Sequence, residues 1–178
     1  GVCARDKGPV RGNWRTWWEG KAHGRTGGLR GRKHRVYEGG IRVPAIIRIP
    51  GVTEPGATSG GLIIGTDLFT TLAAILGAAI PDDRPIDGLD VTDALRGRSL
   101  SERTLLWALE NADGPDFAYR QGDWKLLIDA ALKPAALYDL EEDPLELLDV
   151  LPAEPEIVER LLTQFKKEYA ELEPDFGG

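Results

Sequence analysis

The stretch LRGRKHRVYEGGIRVPAII, residues 29–47, consists of a cationic part, a glycine pair and an apolar part. The adjacent glycines Gly39 and Gly40 indicate a tight turn or a close approach between backbone segments, because glycine has no Cβ. The β-branched run Val43–Ile49 predicts a buried strand, and Pro44 places that run near a sheet edge or at the start of the strand. The stretch therefore predicts a basic loop that leads into a strand.

Beyond this stretch, the chain shows the pattern of an amphipathic helix. Thr66 is suited to cap its first turn, Asp67 favours its positive end, and Gly77 is suited to end it. The apolar side chains that share one face of this helix are Leu68, Leu72, Ile75 and Leu76. A turn-rich linker follows, and VTDALRG (91–97) predicts a short second helix.

From residue 104 the pattern becomes that of short strands separated by turn residues. The Gly122-Asp123 turn predicts a hairpin, and a last helix is predicted from Pro155 to about Leu172. The four apolar runs are TLLWALE (104–110), DFAYRQ (116–121), WKLLI (124–128) and AALYDL (135–140). The side chains expected to pack this helix onto the sheet are Ile157, Leu161, Phe165 and Tyr169. The class is α/β, and the chain ends in a small antiparallel sheet with a C-terminal helix.

Composition and charge limit the classes of protein to which the chain can belong. The 178 residues carry a net charge of −7, but residues 1–50 hold 12 Lys/Arg against 3 Asp/Glu, a net +9, and the remainder carries −16. A basic segment followed by an acidic remainder predicts that the basic segment faces an anion.

No stretch approaches the roughly 18–20 apolar residues of a membrane span, so no membrane partner is expected. The single cysteine, Cys3, excludes a disulfide within the chain.

Four segments, taken together, resemble the formylglycine-dependent sulfatases, the arylsulfatase family of the alkaline-phosphatase-like superfamily. They are LRGRKHRVYEGGIRVPAII (29–47), TDLFTTLAAILGAAIPDDRPIDGLD (66–90), GDWKLL (122–127) and LYDLEEDPLE (137–146). The resemblance implies that residues 1–100 are the end of a large alkaline-phosphatase-like α/β domain. It implies that residues 101–178 form its small C-terminal subdomain, the antiparallel sheet with its helix.

The resemblance also implies a function, the hydrolysis of sulfate esters on a sulfated small molecule or glycan. Such enzymes use a formylglycine, made in a Cys/Ser-x-Pro-x-Arg motif, and a Ca²⁺ held by Asp and Asn side chains. Cys3 lies in Cys-Ala-Arg-Asp and does not fit that motif. We therefore assign no nucleophile, metal ligand or cofactor to this chain, and expect both sites upstream of residue 1 in a parent protein. The chain alone is expected to be inactive, and the resemblance implies an exported, periplasmic or secreted parent.

Two residues are candidates for substrate binding. In the resemblance, Lys33 matches the family's catalytic lysine, whose ammonium holds a sulfate oxygen and stabilises the leaving oxygen. His23 lies ten residues earlier, and its imidazole can bind sulfate or protonate the leaving alcohol. Glu38 is expected to have a structural role and to pair with an arginine such as Arg42.

Other functions stay open at this point. The basic segment 1–50 also fits a module that binds a polyanion or nucleic acid, although the acidic remainder of the chain argues against it. A phosphonate or phosphate ester hydrolase of the same superfamily would differ only in the missing nucleophile motif. The run Val43–Ile49 is expected to seek neighbouring strands, which predicts self-association through an unpaired sheet edge.

Overall fold

The computed structural model describes residues 26–109 and 114–176, and its contacts divide the chain into two compact units. One unit is Pro44–Glu102, and the other joins the described residues up to Val43 with those from Arg103 onwards. The helices are α1 (Glu38–Ile41), α2 (Asp67–Leu76), α3 (Thr92–Leu95) and α4 (Pro155–Phe176). The strands are β1 (Thr104–Ala108), β2 (Phe117–Gln121), β3 (Trp124–Ile128) and β4 (Pro134–Asp139).

The four strands form one antiparallel sheet, in which each strand pairs with the next along the chain. The β2–β3 hairpin pairs Gln121 with Trp124, and Gly122 adopts the left-handed φ of 56° that a two-residue turn requires. The predicted antiparallel sheet and its hairpin are confirmed. Within the described residues, the sheet is a simple meander whose two faces carry alternate side chains.

Helix α4 covers one face of the sheet, as its apolar spacing predicted. Leu161 and Phe165 are completely buried there. The Phe165 ring lies 5.4 Å from that of Phe117 and 6.0 Å from that of Tyr119, distances typical of packed aromatic pairs. Among the described residues no helix, α4 included, combines the length and apolar character that a membrane crossing requires.

The opposite face of the sheet is covered by the segment 26–43, which precedes the sheet in the chain by 60 residues. Val36 is completely buried against Ala118, Leu127 and Tyr138 of that face. The cationic part of the stretch 29–47 therefore lies in the segment that packs on the small sheet. Its position is set by residues far downstream.

In the unit Pro44–Glu102, helix α2 forms and ends at Gly77, whose φ of 65° is left-handed as predicted. The prediction that Thr66 caps this helix is wrong, because its side chain makes no capping hydrogen bond. Much of the apolar face is exposed, since the exposed fractions are 47% for Leu68 and 77% for Leu76.

The buried face of α2 is polar, because its side chains bind the backbone of the segment 87–91. Asp67 accepts hydrogen bonds from the Leu89 N–H at 2.9 Å and the Ile64 N–H at 2.8 Å. The Thr70 hydroxyl donates to the Leu89 carbonyl at 2.7 Å. Burial of this face satisfies backbone groups that would otherwise lack partners, and it leaves the leucines outside.

The predicted strand Val43–Ile49 is not formed. This run has no sheet partner among the described strands, and Ile46 is fully exposed. An apolar β-branched run becomes a strand only where another strand offers hydrogen bonds, and in the described residues none does. The sheet edge on which self-association was expected is therefore not present in this structure, and self-association stays a prediction.

Tyr119 gives a prediction of pH dependence. Burial, followed by the hydrogen bond that its hydroxyl donates to Glu168 at 2.7 Å, raises the pKa of Tyr119 above its ordinary value. The folded chain therefore keeps this proton to a higher pH than the unfolded chain, whose tyrosines ionise near pH ~10. The contribution of this proton to the free energy of unfolding is complete below that pH and is lost as the pH rises above it. Urea unfolding at pH 8 and 10.5 measures this fall.

The matched control for this prediction is Tyr119→Phe. The variant loses the hydrogen bond and is expected to be less stable at pH 8, but its stability should fall less between the two pH values. An equal fall in both proteins would exclude Tyr119 as the cause.

Candidate functional site

Lys33 lies on a turn, residues 31–37, which we call the Lys33 loop and of which residues 31–34 are exposed. The side chain of Lys33 is exposed, and the next residue, His34, adopts a left-handed φ of 65°. Such a φ is uncommon outside glycine, and histidine is one of the residues that tolerate it. The loop therefore presents Lys33 on a sharply turned backbone.

The glycine pair closes this loop by a close backbone approach, as the sequence predicted. A Cβ added to Gly40 would lie 2.0 Å from the Arg35 carbonyl oxygen, and one added to Gly39 would lie 2.6 Å from the Arg30 carbonyl oxygen. The Gly39 N–H donates to that same Arg30 carbonyl at 2.7 Å. The first turn of α1 thus lies against the backbone of the Lys33 loop, with no room for a side chain.

Gly40→Ala is expected to displace the Lys33 loop, because the added methyl group meets backbone atoms that have no rotamer by which to move away. Insertion of atoms into a packed site costs about 1–3 kcal/mol, and we expect a loss of unfolding free energy in this range by urea titration of the chain. Gly60→Ala is the matched control, since its added Cβ has nothing within 4 Å. Equal stability of the two variants would contradict the close approach.

Behind the Lys33 loop is a group of charged side chains that we call the buried ion cluster: Glu38, Arg120, Lys125 and Glu146. Lys125 is completely buried, and its Nζ donates to Glu38 Oε1 at 2.8 Å. Lys125 Nζ also lies 2.8 Å from Glu146 Oε1, as an ion pair without hydrogen-bond geometry. Glu38 Oε2 lies 3.2 Å from Arg42 Nε, which confirms the expected pair, and 3.8 Å from Arg120. Two acids and two bases thus neutralise one another beneath the loop.

Strand alternation explains how the buried ion cluster forms. Arg120 on β2 is directly opposite Lys125 on β3, and Lys125 is opposite Tyr138 on β4. These three side chains therefore point to the same face of the sheet. Burial is the main cause that lowers the pKa of Arg120, and Glu38 opposes it.

Arg30 joins the other side of the loop to the sheet. Its Nη1 donates to the Tyr138 hydroxyl at 2.7 Å and to the Glu146 carbonyl at 2.8 Å. Its guanidinium carbon lies 4.2 Å from the centre of the Tyr37 ring, a cation–π distance. Burial raises the pKa of Tyr138, so its hydroxyl stays neutral near Arg30.

The buried residues were not predicted as site residues, although the sequence contained a signal for them. Lys125 lies within the apolar run WKLLI, and Glu146 ends LYDLEEDPLE. A lysine in a buried strand requires a charged partner, which could have prompted a search for one. The identity of that partner could not be read from the sequence.

The other predicted site residues have different outcomes. His23 lies outside the described residues. Within the described parts of the chain, no three His, Cys, Asp or Glu side chains come together as a group that could hold a metal ion. These residues therefore do not fit the calcium site that the resemblance implies. Of the two candidates for substrate binding, Lys33 is the one whose surroundings are described.

Comparison with known proteins gives a family match over most of the chain. The family described as "N-sulphoglucosamine sulphohydrolase, C-terminal" matches residues 31–174. This range includes the Lys33 loop, all four strands and nearly all of α4.

Several curated relatives match part of the chain. The steryl-sulfatase of Rattus norvegicus is 42% identical over 95 residues, 52% of this chain and 16% of the relative. The choline-sulfatase of Rhizobium meliloti (strain 1021) is 37% identical, covering 72% of this chain and 25% of the relative. The N-acetylgalactosamine-6-O-sulfatase of Bacteroides thetaiotaomicron is 30% identical, covering 78% and 29% respectively. The chain thus spans less than a third of the length of each of these relatives.

Solved structures show the same fold. One of them is a protein of the Bacteroides thetaiotaomicron locus for the metabolism of multiple glycosaminoglycans. It matches with a TM-score of 0.63 and 28% identity, over 79% of this chain and 32% of that one. A structure in complex with its substrate D-glucosamine-2-N,6-O-disulfate has a TM-score of 0.57 at 20% identity, covering 75% and 30%. The predicted class, a mixed α/β chain ending in an antiparallel sheet and a helix, is confirmed. The chain belongs to the sulfatase C-terminal family, the one described as N-sulphoglucosamine sulphohydrolase, C-terminal.

Proposed function

We propose that the chain is the C-terminal part of a sulfatase that hydrolyses sulfate esters, and that Lys33 binds the sulfate group. The observation that carries this proposal is the exposure of Lys33 on a loop that is held at its end. Lys33 is exposed, and Glu38, which follows the loop, is buried and donates its backbone N–H to Glu146 at 2.8 Å. An exposed cation on a fixed backbone suits the binding of a small anion.

The proposed role of Lys33 follows from the charge of the substrate. A sulfate ester is anionic, and cleavage develops further charge on the bridging oxygen. An ammonium group has three donors and can hold a sulfate oxygen and stabilise the leaving oxygen at once. His23 would be a second ligand of sulfate or a proton donor to the leaving alcohol.

The substrate class is proposed from the relatives. They include a steryl-sulfatase, a choline-sulfatase and an N-acetylgalactosamine-6-O-sulfatase, whose names share the sulfated substrate and differ in the alcohol. We therefore propose a sulfated small molecule or glycan as substrate. The formylglycine and the calcium ion would belong to the rest of the parent protein, so this chain alone is proposed to be inactive.

The test is to extend the open reading frame upstream of the Gly1 codon and to express the complete protein. We expect that the added sequence encodes Cys/Ser-x-Pro-x-Arg with Asp and Asn metal ligands, and that the protein releases nitrophenol from 4-nitrophenyl sulfate. Faster turnover of 4-nitrophenyl phosphate or a phenylphosphonate monoester would favour the related hydrolases instead.

A result of a different kind would favour the polyanion-binding function. That alternative rests on the net +9 of residues 1–50. It predicts that the 178-residue chain binds DNA or heparin with an affinity that falls steeply with salt. Absence of such binding, together with sulfate ester turnover by the complete protein, would support the sulfatase proposal.

A further inference from the structure

We propose that Glu146 is a positioning residue for Lys33, because it fixes both ends of the loop that carries the lysine. The inference rests on the proposed function of Lys33. It concerns a residue 113 positions away in the chain that makes no hydrogen bond to the Lys33 loop itself among those described.

Glu146 contacts the chain on both sides of the Lys33 loop. Its carboxylate Oε2 accepts a hydrogen bond from the Glu38 backbone N–H at 2.8 Å, just after the loop. Its backbone carbonyl accepts a hydrogen bond from Arg30 Nη1 at 2.8 Å, just before the loop. One buried residue thus holds the start and the end of a seven-residue segment.

The second contact of the carboxylate keeps Glu146 itself in place. Its Oε1 lies 2.8 Å from the Nζ of Lys125, a side chain of the central strand β3 that is completely buried. Lys125 also binds Glu38 at 2.8 Å. The loop is therefore attached to the sheet by charge pairs that water does not screen.

The backbone of Glu146 supports a role for its side chain. Glu146 has a left-handed φ of 57° and is completely buried. Glycine would adopt this conformation without strain, whereas a residue with a Cβ does so at a cost. A strained position that carries a buried carboxylate indicates a requirement for that carboxylate.

The experiment is a double-mutant cycle between Glu146 and Lys33 in the complete protein, with 4-nitrophenyl sulfate as substrate. Glu146→Gly relieves the backbone strain and removes the carboxylate. We expect it to lower kcat by about 10- to 100-fold, because small displacements of a reacting group have effects of this size. Glu146→Gln keeps an acceptor for the Glu38 N–H and should lower kcat less.

The decisive measurement is the effect of Glu146→Gly when Lys33 is already alanine. If Glu146 acts through Lys33, its loss should then change kcat by less than about 2-fold, since the positioned group is gone. The inference would be overturned if the double variant lowered kcat by the product of the two single factors, which would mean that the substitutions act independently. An unchanged kcat in Glu146→Gly itself would also overturn it. An unchanged kcat in Lys33→Ala would overturn the proposed role of Lys33 as well, so the two failures are distinguishable.

Two further variants separate positioning from stability. Glu168→Ala removes the acceptor of the Tyr119 hydroxyl on the opposite face of the sheet, and kcat should stay within about 2-fold of the parent. Arg30→Lys leaves the buried ion cluster intact but cannot bridge Tyr138 and Glu146 in the same way. If Glu146→Gly does not fold, the same double-mutant cycle is carried out with Arg30→Lys in its place. Independent effects of Arg30→Lys and Lys33→Ala on kcat would again overturn the inference.

Discussion

Lys33→Ala in the complete protein is expected to lower kcat for a sulfate ester by about 100- to 1000-fold, the effect of removing one donor from a developing oxyanion. The reason is that Lys33 would stabilise charge that exists in the transition state and is smaller in the bound ester. An interaction of that kind affects kcat more than KM. Steady-state kinetics with 4-nitrophenyl sulfate measures both constants.

Arg32→Ala is the matched control for Lys33→Ala. Arg32 is an exposed cation next to Lys33 on the same loop, so its removal changes the local charge by the same amount. We expect a small rise in KM and an unchanged kcat for Arg32→Ala. Similar losses in the two variants would mean that the loop attracts substrate through its overall charge, and Lys33 would then have no specific role.

Lys125→Met is expected to lower the free energy of unfolding by about 3–5 kcal/mol, the effect of breaking a buried ion pair by removing one partner. Lys125 is completely buried and is the partner of both Glu38 and Glu146 at 2.8 Å. Methionine fills a similar volume, so the loss would come from two carboxylates left without their cation. Urea unfolding of the 178-residue chain measures the effect.

Two controls test the cause of this loss. Lys133→Met changes an exposed lysine next to β4 and should cost no more than about 0.5 kcal/mol. The double variant Lys125→Met, Glu146→Gln removes one cation and one anion together and leaves Glu38 paired with Arg42 and Arg120, so it should recover much of the stability. A double variant as unstable as Lys125→Met would show that packing, and not charge, causes the loss.

The sheet and the last helix were predictable because their signals are local. Alternating apolar runs, the Gly122-Asp123 turn and the four-residue spacing from Ile157 to Tyr169 are each contained in a few consecutive residues. The structure confirms each of them, since neither a hairpin nor an amphipathic helix requires knowledge of distant parts of the chain. The close approach at Gly39 and Gly40 was predictable for the same reason.

The errors and omissions concern long-range partners. The run Val43–Ile49 was expected to be buried on its hydrophobicity alone, yet hydrophobicity does not say what would cover it. The buried ion cluster was missed because Lys125 and Glu38 are 87 residues apart. Nothing in the local pattern of either residue identifies the other.

The separation of 108 positions between Glu38 and Glu146 has a consequence for the synthesis of the protein. A ribosome adds about 5–20 residues per second, so Glu146 emerges on the order of 5–20 s after Glu38. During that interval the nascent chain contains the Arg30 side chain and the Glu38 amide without their acceptors on Glu146. The segment that carries Lys33 can therefore make these two hydrogen bonds only after residue 146 has been translated, and a ribosome that stalls before codon 146 would release a product in which both ends of that segment lack them.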